Sequence, residues 1–407
     1  MTILVVILVV LGVNFIFWGT IGLVRMVVDA TKKQSGYSEI NYLDGLHKIF
    51  PSEVAVMITA HNEEKVIEKT IRPLLKFVDK NNIFVMCDNC NDKTAEIAKN
   101  LGVNVLEFPT ANGKAGALDK GIKQLNLTKK FSAILFVDAD TIIPETYLQY
   151  ALPFFNNKKV MAVAGYAKTL WDPSKLSFLE MFYISHRERV YSMVQTIFKF
   201  GQTWKYLNVS PIVPGFASIY RSSALEKIEI NPEGLIIEDF NMTFEIHRKK
   251  LGIIAHDPKV FAHTQDPHNF HDYFRQVKRW QLGFWQTVRR HGFWKGLFWY
   301  SLLLYITEVF LSSIMFLLLP FILLGYFVGF PDFINNNVHL TSLLLTIFFV
   351  DYLLTLVVAF FQARVHYLWY GLGFVFLRFF DALAFVYTMP KGFFFRSSGR
   401  WISPQRR

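Results

Sequence analysis

The stretch Ala133-Ile134-Leu135-Phe136-Val137-Asp138-Ala139-Asp140 (residues 133–140) decides the reading of this chain. Its apolar run has the length and composition of a buried strand, and two carboxylates follow directly at the strand end. Upstream, Val54–Ile58, Ile83–Cys87 and Val103–Leu106 are runs of the same kind, and Val160–Ala164 lies downstream. Polar segments of helical pattern, Lys65–Phe77 and Lys93–Leu101, lie between them. This βαβ rhythm predicts one α/β domain with a mostly parallel sheet over residues 50–265. In open sheets of this kind ligands bind beyond the carboxyl ends of the strands, so chemistry is sought there.

Outside that block the chain is apolar. It is 52% hydrophobic and only 18% charged, whereas soluble domains run roughly 45–50% apolar and about 25% charged. That excludes a disordered chain and predicts membrane embedding, as does the abundance of Phe, Tyr and Trp. Ile3–Val24 is uncharged and long enough to span, giving a first membrane helix within residues 1–28. A cleaved signal peptide is disfavoured because the run is too long and no basic segment precedes it. Arg25, Lys32 and Lys33 follow, which by the positive-inside rule puts the α/β domain in the cytoplasm of an integral cell-membrane protein. Residues 297–390 hold three further candidates. Phe298–Phe330 is too long for one untilted span and reads as an interfacial helix leading into a membrane helix. Leu340–Ala363 carries Asp351, and Tyr367–Met389 carries Arg378 and Asp381, which at i,i+3 could pair. The basic tail, 391–407, conflicts with four spans and an outside amino terminus, so either the last segment lies in the interface or one span is wrong. The net charge of +11 is matched to membrane lipid; no nucleic-acid partner is expected, and two cysteines exclude a disulfide framework.

The Asp138-Ala139-Asp140 pair suits a hard divalent cation, Mg²⁺ or Mn²⁺, shared with substrate phosphates; an ordinary acidic turn is the bland alternative. Other polar junctions accompany it. Thr59-Ala60-His61-Asn62-Glu63-Glu64 follows the first strand, Asp88 follows the second, and Asn112-Gly113-Lys114-Ala115-Gly116 precedes a helix. Together they outline a nucleotide site, where backbone N–H groups and a lysine meet phosphate. Neither a P-loop nor a G-x-G-x-x-G fingerprint is present, which disfavours an NTPase and a dinucleotide enzyme. Glu238-Asp239 opens a helical run, where a carboxylate is either a rigidly held base or simply a cap. Gln276, Arg279 and Trp280 share one face of a basic, aromatic segment spanning residues 266–296, suited to a diphosphate and a sugar ring or to anionic lipid.

The segments T-A-H-N-E-E, C-D-N-C-N-D, G-K-A-G-A-L, D-A-D, E-D and Q-V-K-R-W, in this order, resemble the membrane-integrated family 2 glycosyltransferases, the synthases of cellulose, chitin, hyaluronan and poly-N-acetylglucosamine. The resemblance covers roughly residues 50–295. It implies a GT-A (Rossmann-like) α/β domain flanked by transmembrane and interfacial helices, and an inverting transferase using a UDP-sugar, UDP-GlcNAc or UDP-glucose. It assigns Thr59, Glu63, Asp88, Lys114 and Asp138 to the nucleotide-sugar, and Asp140 with Asp138 to the metal. Asp239 becomes the base beside Glu238, and Gln276, Arg279 and Trp280 fall at the acceptor and diphosphate. Ile237 stands where the family usually has threonine. By the same resemblance Val213–Ser218 lines the acceptor side. The acceptor is a growing β-linked polysaccharide or, as in glucosylceramide-type transferases, a lipid. With so few spans, a polymer product implies an oligomer or an export partner.

Three side signals remain. Cys87-x-x-Cys90 suggests a redox pair, but nothing else supports one. His256, His263, His268 and His271 fit no zinc spacing and read as loop or interface histidines. Leu176–Phe200 reads as an amphipathic helix packing the domain onto the membrane, with Arg187 and Arg189 opposite its apolar face; a plain core helix is the alternative.

Overall fold

In β1 (Val54–Ala60) alternate residues feed opposite layers, as a strand's two-residue period requires. Val54, Val56 and Ile58 pack with Ile67, Ile71 and Leu74 of α1 (Ile67–Leu74) on one face, whereas Ala55 and Met57 pack with Ala117, Leu118 and Ile122 on the other. The computed structural model describes residues 12–34, 48–171, 173–328 and 340–395. Around β1 it forms a seven-stranded sheet with β2 (Ile83–Asp88), β3 (Asn104–Phe108), β4 (Ala133–Asp138), β5 (Val160–Thr169), β6 (Ala217–Arg221) and β7 (Ile253–Thr264), in the order β3-β2-β1-β4-β6-β5-β7. Only β6 runs antiparallel to its neighbours. The chain moves outward from β1 through β2 to β3 and returns to β4 on β1's other side, so the order reverses between β1 and β4. That is where a crevice opens at the carboxyl ends, and Thr59 and Asp138 are register partners there.

The helices that matter for the site are α2 (Gly113–Leu125), α3 (Phe178–Ser192, continued by a π-helical stretch Met193–Lys199), α4 (Glu238–Arg248) and α5 (Phe270–His291). Among the described residues, four helices are long and apolar enough to cross a membrane. These are the amino-terminal helix Val13–Gln34, α6 (Leu297–Val328), α7 (Leu340–Gln362) and the segment Tyr367–Phe394, which contains α8 (Phe374–Phe394). Residues 3–11 of the expected first span and the tail from residue 396 lie outside the described residues.

Several expectations change. Leu297–Val328 is one unbroken helix rather than an interfacial helix followed by a span. Its sequence supplies no glycine before 325, and Pro320 sits within it without ending it. Arg187 and Arg189 do not line an exposed face: they are 2% and 3% exposed, because α3 is covered by α5, α7 and α8. Arg378 and Asp381 each reach another element. Arg378 meets Asp351 at 3.0 Å, and Asp381 accepts the Tyr273 hydroxyl at 2.5 Å. Arg25, expected as a flanking charge, is buried and donates to the Phe200 carbonyl at 2.7 Å and Thr203 Oγ1 at 3.1 Å. It therefore ties the amino-terminal helix to the chain just after the π-helical stretch.

Candidate functional site

β4 delivers Asp138 at its last residue, and α2 begins just across the crevice, so Lys114 Nζ reaches Asp138 Oδ1 at 2.6 Å. The same ammonium lies 3.2 Å from Glu238 Oε1 and donates to the Gly215 carbonyl at 3.2 Å. Burial pulls this lysine down, but Asp138 and Glu238 outweigh it and hold the group above the usual lysine range. Three sequence-distant segments thus converge on one cation. Gly215 sits tightly at the junction: a Cβ there would lie 3.0 Å from both Glu238 Oε1 and Lys114 Nζ and would push these two side-chain ends aside. Its N–H donates to Asp239 Oδ2 at 3.3 Å, and the Phe240 N–H donates to Asp239 Oδ1 at 2.8 Å.

Asp239 sits in the first turn of α4, where the helix dipole and backbone N–H groups favour its ionised form. Burial opposes this, with the adjacent Glu238 adding repulsion; together they outweigh Lys114 and those N–H groups and raise Asp239 to about 7. A carboxyl poised near neutrality can take up and release a proton at working pH. Lys199, 4% exposed at the end of the π-helical stretch, is pushed down to about 8 by burial, with Asp239 drawing it back up.

The other expected donor-side residues occupy the same crevice edge. Thr59 is buried beside Asp138, its hydroxyl without a hydrogen-bond partner among the described residues. Glu63 is 1% exposed, and its N–H donates to Thr94 Oγ1 at 2.8 Å. Asp88 is fully buried and accepts from the Asn112 N–H, the Asn112 side-chain amide and the Gly113 N–H at 2.8–3.0 Å. Its carboxylate therefore fixes the start of α2, and with it Lys114.

For the implied divalent cation, Asp138 and Asp140 supply hard oxygen donors, and Asp140 is 8% exposed. Among the described residues no group of three or more His, Cys, Asp or Glu converges on a metal position. This donor set fits Mg²⁺ or Mn²⁺ taken by one or two carboxylates and completed by substrate phosphates. His256 and His263 lie in β7 rather than in a loop or interface; His256 is fully buried against the Ala164 and Gln195 carbonyls at 3.0 and 3.2 Å. His268 and His271 face Glu180 and Arg275.

Gln276, Arg279 and Trp280 all lie on α5. Arg279 is exposed, and Trp280 is half-buried against Arg187 at 4.6 Å. Among the described residues no hydrogen bond, ion pair or ring contact joins these three directly to the Lys114 cluster. Instead α5 reaches α4 one turn later. A Cβ on Gly283 would fall 2.8 Å from Ile237 Cβ, and Gln286 Oε1 accepts the Ile236 N–H at 3.0 Å. Gly283→Ala should therefore displace the backbone that carries Glu238 and Asp239, because Ile237 Cβ cannot move alone. We expect a loss of about ten-fold or more in turnover (roughly 1–3 kcal/mol of overpacking), read as kcat against the thermal midpoint.

Sequence reasoning missed Gln286, Lys199, Arg187 and Asp266. The Asp266 carboxylate accepts from Thr169 Oγ1 and from the Tyr191 hydroxyl, each at 2.9 Å. Burial lifts it to about 6 against the pull of Arg187. None of the four carries a local signal: Asp266, for one, follows the polar run His263-Thr264-Gln265.

The family model described as "Glycosyltransferase like family 2" matches residues 51–283. A "Probable glycosyltransferase YdaM" of Bacillus subtilis (strain 168) is 28% identical over 244 residues, 57% of this chain and 55% of that protein. A "Poly-beta-1,6-N-acetyl-D-glucosamine synthase" of Staphylococcus epidermidis is 23% identical over 250 residues, 58% of this chain and 57% of the relative. Each match thus spans a little over half of the relative. Among solved structures, the mannosyltransferase PcManGT from Pyrobaculum calidifontis, in complex with GDP-Man and Mn²⁺, superposes with a TM-score of 0.52 at 12% identity. That comparison covers 92% of this chain and 99% of the other, and it supports the fold. With a GT-A sheet, its crevice at the β1/β4 reversal and a family match over more than half its length, this chain belongs to glycosyltransferase family 2.

Proposed function

We propose that the protein is an inverting transferase that moves a sugar from a UDP-sugar onto a growing β-linked polysaccharide at the cytoplasmic face of the cell membrane. UDP-GlcNAc is the favoured donor, because the Staphylococcus relatives are named poly-beta-1,6-N-acetyl-D-glucosamine synthases; UDP-glucose is second. The observation that carries the reading is Asp239, a carboxyl raised to about 7 at a helix start within one charge cluster with Lys114 and Asp138.

In this reading residues 50–265 bind donor, 266–296 carry the acceptor side, and the helices within 1–28 and 297–390 hold the domain at the membrane. Thr59, Glu63 and Asp88 line the nucleoside end, Asp88 chiefly by fixing α2. Lys114 and Asp138 face the diphosphate, and Asp138 with Asp140 would hold Mg²⁺ or Mn²⁺. When bound, that cation neutralises charge on the departing diphosphate. Asp239 accepts the proton of the attacking acceptor hydroxyl, steadied by Gly215 and Phe240 N–H groups. The hydroxyl oxygen bonds to the anomeric carbon as the bond to phosphate breaks, its electron pair leaving with UDP, and the anomeric centre inverts. Lys114 and Arg279 supply positive charge where the leaving group gains negative charge. Gln276 and Trp280 hold the acceptor sugar.

The test is product size. Purified protein with Mg²⁺ or Mn²⁺ is given UDP-GlcNAc, UDP-glucose and other UDP-sugars in turn, with Asp239→Asn as control. A polymer absent from the control is the expected result. A single sugar on co-purified lipid would assign a glycolipid acceptor, and no turnover of any donor would overturn the reading. For a polymer, an oligomer or export partner is the further expectation, and a monomer that exports polymer by itself would refute it.

A further inference from the structure

α3 carries four consecutive ionisable residues, His186, Arg187, Glu188 and Arg189, at 1%, 2%, 6% and 3% exposure. Three of them turn toward the carboxy-terminal helices. His186 Nε2 lies 3.6 Å from Asp381, Glu188 meets the Tyr367 hydroxyl and Arg364, and Arg189 binds Asp351. Arg187 turns the other way, with its guanidinium carbon 4.6 Å from the Trp280 ring centre, 4.8 Å from Tyr273 and 6.0 Å from Tyr191. Its Nε and Nη2 are buried without a hydrogen-bond partner among the described residues. Tyr191 connects it to Asp266, whose carboxylate accepts that tyrosine's hydroxyl.

A guanidinium set among three ring faces, with two of its nitrogens unpartnered among the described residues, is an unusual way to fill a packed helix interface. Packing alone would be served by an apolar side chain, and tethering by an ion pair like those of its three neighbours. What the planar cation does here is fix an indole: a ring face at this distance is held by electrostatic attraction as well as contact. Asp266, linked through the Tyr191 hydroxyl, is an anionic group that feels this charge: Arg187 pulls its carboxyl down. We propose that Arg187 is a positioning residue for the acceptor, holding the Trp280 indole, with Asp266 beside it, in the orientation that receives the acceptor sugar. This rests on the reading of Trp280 as an acceptor contact.

The full-length protein is assayed with its active UDP-sugar donor, using the free monosaccharide of that donor as acceptor probe. Arg187→Met should raise the acceptor KM about ten-fold or more while the donor KM moves less than about two-fold; Arg187→Lys, which keeps charge but not the planar face, should fall between. Should Arg187→Met not fold, the milder Arg187→Lys is combined with Trp280→Phe. If Arg187 acts through Trp280, the lysine variant adds little to the acceptor KM in the Trp280→Phe background. Additive effects, or donor and acceptor KM rising together, overturn the inference. A wild-type protein inert with every donor overturns the functional reading instead, so the two failures are distinguishable.

Discussion

Asp239→Asn is expected to lower turnover by about 10²–10⁴-fold with the donor KM nearly unchanged, the loss typical of removing a positioned base. The amide keeps the shape, and its single oxygen can still accept the 2.8 Å bond from the Phe240 N–H; the longer bond from the Gly215 N–H, at 3.3 Å, is given up, so the site is disturbed but not dismantled. The pH profile supplies the second half of the expectation. Because Asp239 must be ionised and burial lifts it to about 7, wild-type kcat/KM should fall about ten-fold per pH unit below that value. Lys114→Met removes the cation that opposes the lift, so the acid limb should move to higher pH. The stability sign is opposite to that of an ordinary ion-paired aspartate. A folded-state value above the unfolded one means the folded protein binds more protons, so this group's contribution weakens as pH rises from about 4 to about 7. Asp239→Asn removes that penalty, so its thermal midpoint relative to wild type should rise between pH 5 and pH 8. Full activity in the asparagine variant, or an acid limb that ignores Lys114, would remove Asp239 as the base.

The first five strands are legible in the sequence because each is a short apolar run bounded by turn residues, and the crevice follows from where they end. β7 is not legible: Asp257-Pro258-Lys259 interrupts its pattern, and the strand absorbs the break through register shifts against β5. The donor side of the site is legible for a related reason. Asp88, Lys114, Asp138 and Asp239 each sit at the junction of a strand or loop with a helix, and such junctions leave a local signature. On the other side the Q-V-K-R-W run is legible, but what packs against its Trp280 is not. Arg187 meets Trp280 across ninety-three positions of sequence, and nothing local distinguishes a buried arginine on α3 from one in solvent. The same limit explains why Arg187 and Arg189 read as a polar face. Period alone sees that they lie opposite the apolar residues, whereas burial depends on α5, α7 and α8, whose packing is set by residues far downstream.

Asp351→Ala should destabilise the protein by about 3–5 kcal/mol, the cost of stripping one partner from a buried ion cluster. Asp351 is 1% exposed on α7 and accepts from Arg189 through both oxygens, at 2.8 and 2.6 Å, and from Arg378 at 3.0 Å. Arg189 also donates to Thr355 Oγ1 at 2.8 Å. Without the carboxylate two guanidinium groups face each other in a site that lies within helices fit to cross a membrane, where uncompensated charge is costlier than in a soluble core. Thermal unfolding in detergent, followed by loss of monodisperse protein, reads the effect; Asp351→Asn, which keeps an acceptor but not the charge, should fall between. Replacing the set together, Arg189→Met with Asp351→Leu and Arg378→Met, should recover much of the loss, since buried ion clusters are often no more stable than apolar residues of like volume. Stability recovered in the triple replacement while its acceptor KM stands above that of wild type would show what the cluster is for. It would mean that Arg189, Asp351 and Arg378 set the rotation of α3 against α7 and α8, and so aim Arg187 at Trp280. Stability recovered with a wild-type acceptor KM would make the cluster a local packing solution, and no recovery of stability would mean that the three charges are required for folding itself.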